Sequence, residues 1–271
     1  MSELFIVSTP IGNLSDITLR AIDVLNSVDV IACEDTRNTS ILCDKYDIKT
    51  RLISYHKYSE NARIELFLNY LSEGKNIALV SDAGTPLISD PGTILVEAVK
   101  KEGFRVTPIV GASAVLALLS SSFREDEDFK FIGFLPKGDT KIQEILELNK
   151  NENLVFYESP KRILNVLKII KNINLNANIS VGRELTKKFE EINEGSIDEI
   201  LTYYQNKSDI KGEFVVLVKK DKTEIDKKEI LKDILKLKKY NLSNKDISNI
   251  LSDLKGYNKN FVYDLLIKKP Q

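Results

Sequence analysis

Residues 76–103, NIALVSDAGTPLISDPGTILVEAVKKEG, read as a strand that feeds a helix through an unusually long connection. The apolar run at Asn76–Ser81 has strand character. The segment after Gly92 carries helix punctuation, with Asp90 expected as N-cap, Pro91 at the first helical position and Gly103 past the end. Connections in α/β units usually span about 2–6 residues. Ser81–Gly92, SDAGTPLISDPG, is about twice that, and it is built from small residues, two prolines and two aspartates. So much ordered loop at the end of a strand calls for a use.

Outward from this unit the same alternation repeats. LFIVS (4–8), VDVIAC (28–33), RLISYH (51–56) and RVTPIV (105–110) are further strand candidates. Between them Ile17, Ala21, Val24, Leu25 and Val28 recur at helical spacing, as do Ile64, Leu68 and Leu71. CEDTRNTS (33–40) reads as a polar loop, and GASAVLALLSSS (111–122) as a small-residue helix. Repeated β-α units predict an α/β domain with a mostly parallel sheet over 1–123. Polar REDEDF (124–129) breaks the pattern and marks a boundary. A second α/β domain, 124–221, is expected to have several strands, fewer and shorter helices, and one helix opened by Pro160.

The remainder, 222–271, differs in charge. It holds 12 Lys against 7 Asp plus Glu, a net of +5 in a chain whose total is −1, so the body is acidic and the tail basic. Ile230, Leu231, Ile234, Leu235 and Leu237 form one amphipathic pattern. Ser243 caps a second, with Ile247, Ile250, Leu251 and Leu254, and Phe261, Val262, Leu265 and Leu266 mark a third after Gly256. Three short helices with outer lysines suit a helix-turn-helix-like module that docks nucleic acid. From spacing alone, a helical cap or a dimerisation element with a solvated lysine face is the more ordinary use of such a pattern.

With 271 residues, 42% of them hydrophobic, the chain is ample for a buried core. Two unpaired cysteines, Cys33 and Cys43, favour a reducing compartment over a disulfide framework or zinc site. No basic-then-apolar leader or membrane-length apolar run is visible, so a soluble, cytoplasmic protein is expected.

In open α/β sheets ligands bind beyond the carboxyl ends of the strands. Three strand ends here carry glycine loops: STPIGNLSD (8–16), SDAGTPLISD (81–90) and VGASA (110–114). Gly12, Gly84 and Gly111 allow close approach or positive φ, although each taken singly also suits a tight turn. Asp82 and Ser113 add an acceptor and a hydroxyl, a set suited to a small ligand with both amine and carboxylate. STPIGN lacks the dinucleotide fingerprint, and GFLPKGDT (133–140) has Asp139 where a P-loop needs lysine, so it reads as a turn. His56 is the one histidine, which excludes histidine-based metal clusters. It is either a structural or a catalytic residue.

STPIGNLSDITLRA, ACEDTR, SYH, LVSDAGTPLISDPG, FYESPKR and RELTK occur in an order and spacing that resemble the ribosomal RNA small subunit methyltransferase I family, of the tetrapyrrole-methylase-like superfamily. The resemblance runs from Leu4 to about Lys219, and the basic tail is similar to that family's helix-turn-helix domain. It implies two α/β domains with S-adenosyl-L-methionine in the cleft between them. It also implies a homodimer and methyl transfer to the ribose 2′-hydroxyl of a cytidine in the decoding region of small-subunit RNA. Free or assembled RNA could be the substrate, and no metal is implied.

Carried over motif by motif, Thr9, Pro10, Gly12, Asp82, Gly84, Thr85, Ser113 and Ala114 line the cofactor, with Tyr157, Arg183 and Glu184 on the second-domain wall. Ala112 stands where the family usually has Pro, and Lys161 where it often has His. The ribose hydroxyl is a poor nucleophile, and Glu34, Asp35, Arg37 and His56 are the titratable or cationic candidates on loops at strand ends. Glu34 or Asp35 would position substrate and Arg37 would hold phosphate, unless EDTR is a solvated salt-bridged loop. Two other readings remain: a methylase of the same superfamily acting on a tetrapyrrole or other small substrate, and a non-catalytic RNA-binding protein.

Overall fold

Five short strands, β1 (Glu3–Val7), β2 (Val30–Cys33), β3 (Arg51–Ser54), β4 (Ile77–Val80) and β5 (Arg105–Ile109), form an all-parallel sheet in the order β3-β2-β4-β1-β5. The computed structural model describes residues 2–56, 60–124, 128–220, 227–255 and 257–267. Every residue of β2 and β4 is buried, which is why these strands read as continuous apolar runs rather than alternating ones. β5 lies at the edge, where Pro108 removes no ladder donor that the sheet needs.

Side chains leave the strands alternately to two faces. Leu4, Ile6, Ile77 and Leu79 pack with Phe67 and Leu71 of α3 (Glu60–Ser72) and with Leu95 and Val99 of α4 (Thr93–Lys101). Val7, Ile31, Ala78 and Val80 pack on the other face. They meet Ala21 and Leu25 of α1 (Leu19–Ser27) and Leu42 and Cys43 of α2 (Thr36–Lys45).

The sixth to tenth strands, β6 (Lys130–Phe134), β7 (Leu154–Glu158), β8 (Asn178–Arg183), β9 (Glu191–Ser196) and β10 (Phe214–Val218), form a second sheet in the order β6-β7-β10-β8-β9. Only β6 and β7 pair in parallel. One face is covered by α6 (Asp139–Leu148), α7 (Ile163–Ile173) and α8 (Ile197–Gln205). The other face receives α5 (Ala114–Ser121), whose Val115, Leu118 and Leu119 pack with Val155, Leu185, Val215 and Leu217. Thus α5 follows the first sheet in sequence but covers the second. Residues through Lys220 form one compact unit.

Several local expectations are corrected. The helix after the long loop begins at Thr93; its N-cap is Gly92 at φ 132°, without a side-chain cap, so Asp90 and Pro91 lie outside it. Pro160 sits in a turn, and α7 begins at Ile163. The polar stretch 33–40 is not a loop throughout, because Asp35 caps α2 and Thr36 starts it. The second half has helices of 10, 11 and 9 residues, fewer than the first half but not shorter.

From Asp221 on, a separate unit contains α9 (Lys227–Lys238), α10 (Asn244–Lys255) and α11 (Lys259–Ile267). Its core is Ile230, Ile234, Ile247, Leu251, Val262 and Leu266. Ser243 Oγ accepts from the Asp246 amide at 3.1 Å and caps α10. Leu235, Leu254 and Phe261, expected on apolar faces, are exposed. Residues 125–127 of the boundary segment and Gly256 lie outside the described residues. No helix among those described is long and apolar enough to cross a membrane.

Candidate functional site

The carboxyl ends of β1, β4 and β5 are tied into one corner by their loops. Thr9 and Gly84 exchange backbone hydrogen bonds of 2.8 and 3.1 Å, and the Ser8 amide donates to the Ile109 carbonyl at 3.1 Å. Ser8 and Thr85 share a hydroxyl–hydroxyl bond of 2.8 Å, and Thr9 Oγ1 donates to the Ser81 carbonyl at 3.2 Å. Gly84 has φ +78°, a conformation that excludes most side chains. Ser113 Oγ accepts from the Leu116 amide and caps α5, leaving Ser113 and Ala114 half-exposed at that helix N-terminus. Thr9, Pro10, Gly84, Thr85, Ser113 and Ala114 are therefore brought together.

The other two glycines serve packing within the chain. A Cβ on Gly111 would lie 2.8 Å from Ser8 Cβ. One on Gly12 would lie 2.3 Å from Lys187 Cγ and 2.9 Å from Thr186 Oγ1. Here the first loop meets the RELTK loop of the second sheet, and the Asn13 amide donates to Thr186 Oγ1 at 3.0 Å. Thr186 (φ 66°) and Glu184 (φ 50°) both hold left-handed backbone. The Arg183 and Glu184 side chains are committed inside the second half. Arg183 bonds the Lys211 carbonyl and Glu191, while Glu184 accepts from the Glu213 amide and Lys187. They brace the wall rather than face the corner.

A second group gathers at the ends of β2, β3 and β4. Asp82 uses both oxygens, accepting from the Asp35 amide at 3.1 Å and from Asn38 Nδ2 at 2.9 Å. It thus fastens the start of α2 to the long loop. Asp35 accepts from the Arg37 amide and from its guanidinium, Nη2 to Oδ2 being 2.6 Å. These bonds hold the Asp35 carboxyl down at about 2. Arg37 stands on the first turn of α2, not on a loop, with its side chain 88% exposed. Burial, and then Asp82, push the Glu34 carboxyl up, with His56 acting in the opposite sense. A small pocket is lined by Thr9, Pro10, Asn38, Thr39, Ser81 and Asp82.

The long loop itself leans on the second sheet, since a Cβ on Gly133 of β6 would lie 3.1 Å from Ser89 Oγ. Leu87 (φ 72°) and Ser89 (φ 78°) are held in left-handed backbone, a strain of the kind that collects at functional sites. Tyr157 of β7 packs against Phe131 and Phe134, with ring centroids at 5.0 and 5.5 Å. Its phenol is pushed up by burial and then by the charge of Asp90. Residues that sequence reasoning passed over here are Asn38, Thr186 and Asp90. Asp90 carried a signal, but Asp-Pro-Gly was read as helix punctuation.

A family model for tetrapyrrole (corrin/porphyrin) methylases matches residues 3–201. The chain is 46% identical over 218 residues to ribosomal RNA small subunit methyltransferase I of Borrelia garinii subsp. bavariensis, covering 79% of this chain and 97% of that one. With the Escherichia coli protein of the same name it is 37% identical over 274 residues, 98% of this chain and 95% of that one. Among solved structures, the uroporphyrin-III C-methyltransferase of Thermus thermophilus complexed with S-adenosylhomocysteine superimposes with a TM-score of 0.56. Identity there is 14%, covering 80% of this chain and 97% of that one, and the likeness concerns the fold.

Proposed function

The chain belongs to the ribosomal RNA small subunit methyltransferase I family of tetrapyrrole methylases, and we propose on that premise that it is an S-adenosylmethionine-dependent methyltransferase. Its substrate is the ribose 2′-hydroxyl of a cytidine in the decoding region of small-subunit ribosomal RNA, and it works as a cytoplasmic homodimer. The observation that carries the reading is the tied corner at β1, β4 and β5, in a chain whose named relatives match it over most of their length.

The residues present fit such a donor. S-adenosylmethionine, when bound, supplies a methyl group on a positively charged sulfur. The partly buried carboxyls of Glu34 and Asp90, with Asp82 beside them, give this end of the sheet a negative field that favours a cation. The half-exposed N-terminus of α5 at Ser113 and Ala114 is suited to the donor's carboxylate. Thr9, Pro10, Gly84 and Thr85 shape the floor beside it, and Tyr157 forms an aromatic wall. Asp82 and Gly12 act through the loops they fasten. What these residues contribute to rate is alignment of the ribose oxygen with the methyl carbon, a proximity effect.

The same negative field repels RNA phosphate, so phosphate contacts belong elsewhere. Arg37 at the rim and the lysines of the α9–α11 unit are the groups suited to them.

The test is transfer of labelled methyl from S-adenosylmethionine to unmethylated small subunits, free rRNA and a tetrapyrrole in parallel. Label on the subunit or its RNA, mapped to one ribose by resistance to alkaline cleavage, is the expected result. Label on the tetrapyrrole alone would replace the substrate. Cofactor binding without transfer to any acceptor would favour a binding protein.

A further inference from the structure

We propose that Phe134 is the platform on which the base of the target cytidine stacks while its ribose is held at the methyl donor, an inference that rests on the ribose-methylation reading above. Residues three apart on a regular strand point to opposite faces of the sheet. Phe131 and Phe134 nevertheless both pack against Tyr157 of β7. The strand pairing shows how. Phe131 lies opposite Val155 and Phe134 opposite Tyr157, so β6 spends one residue more than β7 over the same stretch. Gly133, at φ +69°, lies within this bulge. Bulges are rare between parallel strands, and they serve to re-aim a side chain. Here Ile132 packs on the face covered by α6, α7 and α8, and the bulge returns Phe134 to the α5 face with Phe131 and Tyr157.

The re-aimed ring is 59% exposed. Exposure alone would mean little, because single apolar side chains are common on protein surfaces. What distinguishes this ring is how firmly it is held. Glu158, buried, pairs with Arg162 Nη2 at 3.2 Å, and the same guanidinium donates to the Leu135 carbonyl at 3.1 Å and the Pro136 carbonyl at 2.7 Å. Leu135 follows Phe134 and Glu158 follows Tyr157, so one guanidinium locks the backbones that present both rings. A ring fixed in this way has little freedom to lose on binding.

The place is as telling as the hold. Tyr157 shares a cluster with Ile11 of the first loop and Ala114 at the start of α5, and Gly133 lies against Ser89 of the long loop. The aromatic pair thus borders the tied corner on its second-sheet side. Glu34 and Asp82, at the ends of β2 and β4, disfavour phosphate there, so the sugar and the base are the parts of a nucleotide suited to approach. A nucleotide whose ribose is brought in line with a methyl carbon has to leave its own RNA stack. An exposed ring replaces part of that stacking, since every base has a flat π-face. Exposed Lys137 and Lys161, beside Pro136 and Arg162 in the chain, are cations suited to the flanking phosphates.

The experiment measures kcat/KM for unmethylated small subunits in the wild type, Phe134→Leu, Phe134→Tyr and Phe134→Trp. Leucine keeps an apolar side chain but removes the π-face. Phe134→Leu is expected to lose about 5- to 150-fold, the share that one stacked base carries. Phe134→Tyr and Phe134→Trp, which restore a π-face, should recover most of that loss. Calorimetric affinity for S-adenosylmethionine and the oligomeric mass by light scattering should not change in Phe134→Leu. With small subunits and S-adenosylhomocysteine bound, ultraviolet irradiation of the wild type should join a pyrimidine of the RNA to Phe134, within the tryptic peptide 131–137.

Equal losses in the leucine, tyrosine and tryptophan variants overturn the proposal, because they would report tight packing rather than stacking. A cross-link confined to other peptides does the same. A Phe134→Leu protein that falls from dimer to monomer overturns it too and assigns the ring to contact between copies of the chain. A wild type that binds cofactor but methylates no ribose overturns the underlying reading, and this one with it. Ribose methylation at the wild-type kcat/KM in Phe134→Leu overturns this one alone.

Discussion

Gly92 and Asp90, two residues apart on the β4–α4 loop, act on stability in opposite directions. A side chain at Gly92 would have to adopt φ 132° and place its Cβ 2.7 Å from Leu79 Cδ2. Gly92→Ala is expected to cost about 1–3 kcal/mol, measured by denaturant unfolding. Asp90 has its carboxyl raised in the fold, so the native state holds its proton more tightly than the unfolded chain does. The sign follows from linkage: the penalty is absent below pH 3.8, grows between pH 3.8 and about 6, and is complete above. Asp90→Asn should therefore raise the melting midpoint at pH 8 by about a degree or two after solvent screening and leave it unchanged at pH 3.5. A midpoint that falls at pH 8 would contradict this. At this scale the sequence signalled the loops but not their internal use. Gly84 does take positive φ, whereas Gly12 and Gly111 answer to Lys187 and Ser8, the former a partner 175 positions away that no local pattern discloses.

Among the elements, α5 has the most consequential placement. It follows β5 directly, yet Leu118, fully buried, lies in a cluster with Val155, Val215 and Leu217 of the second sheet. Leu118→Ala should cost about 2–5 kcal/mol and loosen the second sheet first. Hydrogen exchange would show lost protection in β7 and β10 before β2 and β4. The β-α alternation of the first sheet was legible because its strands are short, apolar and punctuated. α6 was missed because its buried positions, Ile142 and Leu146, are too few to stand out between Asp139 and Leu148. The start of α2 was missed for a related reason. Its first turn is secured by Asp35 and Arg37 rather than by apolar periodicity, and hydrophobic spacing is blind to a polar cap.

For the molecule as a whole, the division of charge between an acidic body and a basic tail is the organising feature, and it separates two tasks that would conflict in one place. A donor cation is favoured where Glu34, Asp82 and Asp90 gather, whereas an RNA backbone is not. In the α9–α11 unit, Asp233 holds Lys236 at 2.9 Å and Lys255 at 3.7 Å, so those two lysines serve the unit's own fold. Lys238 and Lys239 follow at the end of α9, beside the exposed ring of Tyr240, and are better placed for phosphate and stacking. Truncation after Lys220 should leave S-adenosylmethionine affinity unchanged, since the residues through Lys220 form a compact unit. RNA affinity should fall, and its logarithmic dependence on salt should become shallower. Lys238→Glu with Lys239→Glu in the full chain should reproduce part of this, reducing the salt slope by about 1.4–1.8 for two lost phosphate contacts. An RNA affinity and slope unchanged in both variants would assign the tail to assembly of the protein rather than to its substrate.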